Sequence, residues 1–208
     1  MSQERSQEVG DDASIQLEEI FGDAVAAPLE ATTGTAVSCH VELVGPHLRL
    51  AGEMALGNFR RLSDFVNNHD GLFRVHDAIV MRRNGDLTKV AMPDVWVAPT
   101  EVTLIAQPVV DAATAPPPEF AMPKRRDGLI IVTPGHTMTG EIYVMRDAML
   151  SVFIESTDPR FLPMTDVRTR SLADRRVISR YPFALLNRRH IVAASPLPPE
   201  LLSGRRVL

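Results

Sequence analysis

One stretch of this 208-residue chain occurs twice, and this repeat restricts the possible folds more than any other feature of the sequence. Matched residues lie 88 positions apart up to Phe73 and 89 positions apart from Asp77 onward, as a single extra residue in a loop would produce. An internal repeat predicts two copies of one structural unit, here by tandem duplication. The clearest matched pairs are Gly52 with Gly140, Leu62 with Leu150, Asp70 with Asp158, Asp77 with Asp166, and Pro93 with Pro182.

Each copy predicts the element order β-β-α-β-β-β, which makes the fold class mainly β (α+β). Alternating apolar residues such as Val41 and Leu43 indicate strands, and Asn84-Gly85 is a strong hairpin signal. Apolar residues three and four positions apart predict short helices over 58–67 and 146–154. The remaining strands are expected over 72–81, 89–98, 101–107, 161–169, 176–186 and 190–194.

We expect two β modules, at 38–108 and 128–198, joined by a Pro-rich linker over 109–127 and followed by a tail over 199–208. Five short strands with one helix suit a small bent sheet or barrel, comparable to Sm-like and SH3-like folds by analogy only. A unit of this size buries a modest core. The two modules are therefore expected to pack on each other or on a second subunit.

Residues 1–37 form an acidic segment, since residues 1–35 hold eight acidic residues and one basic residue. A short amphipathic helix is predicted over 14–25. This helix either docks on the protein's own module or folds onto a partner protein. Its apolar stripe consists of Leu17, Ile20, Phe21 and Ala24.

Composition excludes several classes of protein. The single cysteine, Cys39, rules out a disulfide framework and a thiolate-rich zinc site, and it is expected to be an inert buried thiol. The N-terminal residues lack the apolar core of a signal peptide, and no apolar run is long enough to span a bilayer. We therefore expect a soluble cytoplasmic protein without membrane insertion.

Two motif groups resemble an uncharacterised family of small bacterial domains of unknown function, whose pattern is roughly RLSDxLN…FxxLTDV…NxxHI. The first is the string Arg61-Leu62-Ser63-Asp64-Phe65-Val66-Asn67. The second combines Phe161-Leu162-Pro163-Met164-Thr165-Asp166-Val167 with Asn187-Arg188-Arg189-His190-Ile191. Each half keeps a different part of the pattern. The resemblance implies no catalytic residue.

No sequence motif predicts a catalytic, cofactor-binding or metal site. Phosphate-binding glycine loops and the Gly-x-Ser-x-Gly nucleophile motif are both missing from the sequence. His69-Asp70 and His76-Asp77 contain metal-ligating residue types. However, only the aspartates recur in the second half, which favours a role at turns or strand ends. An enzyme is the weakest hypothesis, with Asp77, Asp166 and His76 as its polar candidates in a cleft between the modules.

Arginines accumulate in the second half, where residues 113–208 hold fourteen basic and nine acidic residues. This face is interpreted as a solvated surface, a protein interface or an anion site. Scarce aromatic residues, 5% of the chain, argue against a dedicated RNA-binding module. Lys124 to Arg126 could extend the patch, and His190 is expected to be solvated. The patch consists of Arg168, Arg170, Arg175, Arg176, Arg180, Arg188 and Arg189.

The sequence thus favours a non-catalytic protein-interaction, assembly or regulatory subunit that requires no cofactor. Its expected partners are proteins, including further copies of itself. The alternative is an Arg-dependent protein that binds nucleic acid or another anionic ligand.

Overall fold

A computed structural model describes residues 37–84, 86–109, 123–173 and 178–198. These residues are mainly β, as predicted. Their strands are β1 (Ser38–Val44), β2 (Arg49–Ala55), β3 (Phe73–Asn84), β4 (Asp86–Val97), β5 (Leu104–Gln107), β6 (Lys124–Val132), β7 (His136–Met145), β8 (Phe161–Ser171), β9 (Ile178–Asn187) and β10 (Ala193–Pro196).

All ten strands belong to one antiparallel sheet with the order β10-β6-β7-β8-β9-β5-β1-β2-β3-β4. The first half contributes β5-β1-β2-β3-β4, and the second half contributes β10-β6-β7-β8-β9, the same internal order. The prediction of two sheets was wrong because β5 of the first half pairs directly with β9 of the second half. Duplication as the origin of this similarity remains a prediction.

The repeated Gly and Asp residues lie at a β-bulge in each half. The registers shift between Ala51 and Glu53 and between Thr139 and Glu141. Opposite these shifts, Asp77 and Asp166 have φ angles of 47° and 51°, a left-handed conformation that Asp tolerates better than most residues. These aspartates therefore lie within strands, not at the turns or strand ends where they were expected.

Gly52 shows why the first bulge needs glycine. A Cβ at this position would lie 2.5 Å from the carbonyl oxygen of His76, a backbone atom that cannot rotate away. Matched residues of the repeat thus include positions at which the backbones of neighbouring strands approach closely.

The two helices are shorter than predicted. Helix α1 spans Leu62–Asn68 and helix α2 spans Leu150–Glu155. A turn precedes α1, in which Gly57 has a φ of 57° and Phe59 N–H donates to the Leu56 carbonyl at 3.0 Å. A short 3₁₀ turn, Pro99–Glu101 or Arg188–His190, precedes the last strand of each half, which delays the start of these strands.

Two hydrophobic clusters fill the interior, and each is completed by the other half of the chain. The first cluster is built mainly from β1–β4 and α1, but it includes Phe161 and Leu185 of the second half. The second cluster is built mainly from β6–β9, but it includes Val44, Leu104 and Ala106 of the first half. Neither half therefore encloses its own core.

Several predictions lie outside the described residues: the helix over 14–25 with Leu17, Ile20, Phe21 and Ala24, most of the linker, Arg175 and Arg176, and most of the tail. Strand β6 begins at Lys124, so the last residues of the predicted linker belong to the sheet. In the ranges that are described, no helix is long and apolar enough to cross a membrane.

Candidate functional site

The junction between the halves is built around the side chain of Asn187, which is only 1% exposed. Its Nδ2 donates to the carbonyl oxygens of Pro99 at 3.1 Å and Val102 at 2.9 Å. Its Oδ1 accepts from Arg189 N–H at 3.1 Å, and its own N–H donates to the Thr103 carbonyl at 2.9 Å. Asn187 thus satisfies the backbone groups of the loop that leads into β5.

His190 is the second polar contact of this loop. Its Nε2 lies 2.8 Å from the Thr100 carbonyl oxygen, and its Nδ1 lies 2.7 Å from Thr103 Oγ1. Because a carbonyl only accepts, Nε2 carries a proton in this geometry, while Nδ1 and the threonine hydroxyl lie within hydrogen-bond distance of each other. The expectation that His190 is simply solvated was wrong.

Asn67 connects the halves a second time, at the end of α1. Its Nδ2 donates to the Phe161 carbonyl at 3.1 Å, and its Oδ1 accepts from Phe161 N–H at 2.7 Å. The adjacent Arg160 donates through Nη2 to the carbonyls of Val66 and His69 at 2.7 and 2.8 Å. A guanidinium at the C-terminal end of a helix satisfies its free carbonyls and complements its dipole.

A third polar bridge joins β2 to β9. Arg49 forms an ion pair with Glu42, and its Nη2 donates to Ser179 Oγ at 3.3 Å. Burial and the neighbouring Glu42 raise the pKa of Tyr181 to about 12. Tyr181 is therefore neutral at physiological pH.

At the two outer ends of the sheet, the matched positions carry other residues. Glu155 is the counterpart of Asn67, and Ala98 is the counterpart of Asn187. Glu101 is the counterpart of His190, and Leu72 is the counterpart of Arg160. Each half therefore keeps those polar residues of the motif pattern that face the inner junction. The divided pattern was visible in the sequence, but its location at the junction was not.

Strand β4 forms one open edge of the sheet, since it pairs only with β3 among the described residues. Trp96 is 57% exposed there, whereas its counterpart Leu185 is fully buried on β9, where it pairs with Ile105 of the adjacent strand β5. Val90 and Met92 are further exposed apolar residues on β4. Among the strands that the structure describes, β10 forms the opposite edge, and it is largely exposed where β5 is buried.

A cluster of charged and polar residues is linked to Trp96 through Arg74. The Arg74 guanidinium lies 5.2 Å from the indole centroid and donates through Nε to Asp94 Oδ1 at 3.0 Å. His76 Nδ1 lies 2.6 Å from the same oxygen. The hydrogen bond from Arg74, followed by the charge of Arg74 and the interaction with His76, lowers the pKa of Asp94.

The enzyme hypothesis receives no support from the placement of its candidates. His76 and Asp77 lie on β3 and Asp166 lies on β8, strands that are not neighbours in the sheet. His40, Glu53, His76 and Asp94 instead form a row across β1–β4 through direct register pairs. Across the described ranges, no group of three or more His, Cys, Asp or Glu residues is arranged to hold a metal ion.

The arginine patch is only partly assembled. Arg168 on β8 lies directly opposite Arg180 on β9, and both side chains are exposed. Arg188 instead turns inward, where it donates to the carbonyls of Phe153, Ile154 and Pro159. Arg189 is exposed on the second 3₁₀ turn, away from the register pair of Arg168 and Arg180.

The basic cluster at 124–126 is also used within the fold. Arg125 donates to Asp127 and to the carbonyls of Arg146 and Ala148. The Arg126 guanidinium lies 5.4 Å from the Tyr143 ring centroid. These residues therefore hold β6 against β7 and the turn that follows.

Cys39 is expected to react slowly with a thiol reagent such as Ellman's reagent. The side chain is half-buried on β1, and burial followed by the charge of Glu53 raises its pKa from 9.0 to about 11. At pH 8, we expect labelling about 100-fold slower in the native protein than in urea, because only the thiolate reacts. Equal rates in the two conditions would contradict this prediction.

No family model matches this chain, and neither a curated protein nor a solved structure shows significant similarity to it. The resemblance of its motifs to a bacterial domain family therefore remains a prediction.

Proposed function

We propose that this chain is a non-catalytic interaction or assembly subunit whose open edge at β4 binds a protein partner. The observation that carries the proposal is the row of exposed apolar residues Val90, Met92 and Trp96 on an edge strand. We place this subunit in the cytoplasm. The helix predicted over 14–25 would provide a second contact for a partner.

Edge strands of soluble proteins are normally short, charged or covered, because their free backbone groups attract other strands. Strand β4 is twelve residues long, and three of its large apolar side chains are exposed. A partner strand would pair with its backbone, and Trp96 would anchor the contact, since tryptophan often dominates binding energy at interfaces.

The polar residues of the sequence motifs support a structural role rather than a catalytic one. Asn67, Asn187 and His190 use their side-chain hydrogen bonds to join the two halves. The hydrogen-bonding groups of these three side chains are therefore occupied within the fold.

Site-specific photo-crosslinking in native cells tests this proposal. A photoreactive phenylalanine analogue at Met92 or Trp96 is expected to crosslink to protein, whereas the same analogue at Met145, exposed on the interior strand β7, is not. Equal crosslinking at the three positions, or none at β4, would contradict the proposal.

The alternative function is anion binding by the second half. It is favoured by the direct opposition of Arg168 and Arg180, because like charges facing each other across strands are destabilising unless an anion neutralises them. Anisotropy of a labelled single-stranded oligonucleotide at about 50 and about 200 mM salt separates the two functions. Affinity that falls steeply with salt and is lost in Arg168→Ala/Arg180→Ala supports this alternative, and no binding at the lower salt removes it.

A further inference from the structure

The two outer edges of the sheet match the two edges that already pair inside the chain. Within the chain, β5, the last strand of the first half, pairs with β9, the fourth strand of the second half. At the ends lie β10, the last strand of the second half, and β4, the fourth strand of the first half. We propose that a second copy of this chain is the partner of β4, and that its β10 pairs there head to tail. This inference rests on the proposed function and names its partner.

The register of such a contact follows from the inner junction. There Leu104, Ile105 and Ala106 pair with Leu186, Leu185 and Ala184. Adding the 89-residue spacing of the repeat to the β5 residues and subtracting it from the β9 residues gives the outer pairs. They are Ala193 with Val97, Ala194 with Trp96, Ser195 with Val95 and Pro196 with Asp94, each pair joining two copies.

Burial at the inner junction shows what this contact would cover. Leu185 and Ala184 on β9 are fully buried, but their counterparts Trp96 and Val95 on β4 are exposed and half-buried. Ala106 on β5 is fully buried, but its counterpart Ser195 on β10 is exposed. Pairing of the outer edges would remove this apolar area, chiefly that of Trp96, from water.

The outer contact lacks the side-chain hydrogen bonds that stabilise the inner contact, so it is expected to be weaker and reversible. Ala98 replaces Asn187 and cannot donate to the loop of a second copy. Pro196 replaces Gln107 and has no backbone N–H for the ladder. A contact between two different edges repeats from copy to copy, which produces a ring or an open filament.

Sedimentation of the full chain over a wide concentration range provides the first test. We expect the mean mass to rise above that of the monomer with concentration. The emission of Trp96, the single tryptophan, should shift to shorter wavelength over the same range because the indole becomes buried. A chain that stays monomeric overturns this inference, while crosslinks from β4 to another protein would leave the proposed function intact.

Two edge variants test the head-to-tail arrangement. Trp96→Glu and Ser195→Glu both place a charge at an exposed position, so native circular dichroism should be retained, and each variant alone should be monomeric. An equal mixture should form dimers and nothing larger, because the β10 of Trp96→Glu and the β4 of Ser195→Glu remain intact. Met145→Glu, on interior strand β7, is the matched control and should associate like the unmodified chain.

Ala98→Asn provides a gain-of-function test. The new amide can donate to the loop of a second copy as Asn187 donates to Pro99 and Val102. Two added hydrogen bonds should tighten association roughly tenfold. Association that is unchanged in Ala98→Asn and survives in Trp96→Glu would overturn the proposed register and require a different surface for self-association.

Discussion

Replacing Phe161 with alanine is expected to lower the free energy of unfolding by about 3–5 kcal/mol, the usual loss for a large aromatic core residue. The Phe161 side chain is fully buried, and its ring centroid lies 6.0 Å from that of Phe73. Since Phe161 belongs to the second half and its cluster is built mainly from the first, the substitution opens a cavity between the halves. Urea denaturation followed by circular dichroism measures the loss.

Phe153→Ala is the matched control for this substitution. Phe153 lies in α2, is only partly buried, and packs against the second cluster, which is built mainly from its own half. Its replacement should cost clearly less, because the site is partly open to water already. If the two variants lost equal stability, the interface between the halves would not be a principal part of the core.

Asn187→Ala is expected to cost about 2–4 kcal/mol. It removes the side-chain donor of the Val102 carbonyl and the acceptor of the Arg189 N–H, and a buried polar group left without a partner costs about 1–3 kcal/mol. The amide donates to Pro99 and Val102 from a position that is almost completely buried, so water cannot easily replace it. The same denaturation experiment measures the change, and the midpoint should fall with little change in the m-value.

Asn68→Ala provides the comparison for Asn187→Ala. Asn68 donates to the Asp64 carbonyl at 2.7 Å, but this contact is exposed, so its loss should be small. A cost for Asn187→Ala no larger than that for Asn68→Ala would mean that this amide does not secure the junction.

The sequence predicted the class of the fold and the order of its elements because both depend on local patterns. Alternating apolar residues such as Val41 and Leu43 identify a strand and its buried face, and these two residues are indeed buried. Such patterns do not say which strand lies beside which. The pairing of Leu104 with Leu186 joins residues from different halves, and no local signal in either strand indicates it.

The candidate site was harder to predict, for a related reason. Asn187 and His190 were visible as parts of a motif, but their partners are carbonyls of a loop far away in the sequence. Arg188 was assigned to the arginine patch because basic residues accumulate in the second half, yet it donates to backbone carbonyls of α2. Trp96 stands out only when its exposure is compared with the burial of Leu185 at the matched position of the other half.

The pairing of β5 with β9 also determines when this protein can finish folding. Strand β5 is synthesised well before β9, so its second edge and the first hydrophobic cluster stay incomplete until Leu185 and Leu186 have been made. Contacts between distant parts of a chain form slowly, because a long loop has to close before they stabilise anything. A ribosome that stalls between the two halves therefore leaves a sheet with an unprotected strand, a species prone to aggregate.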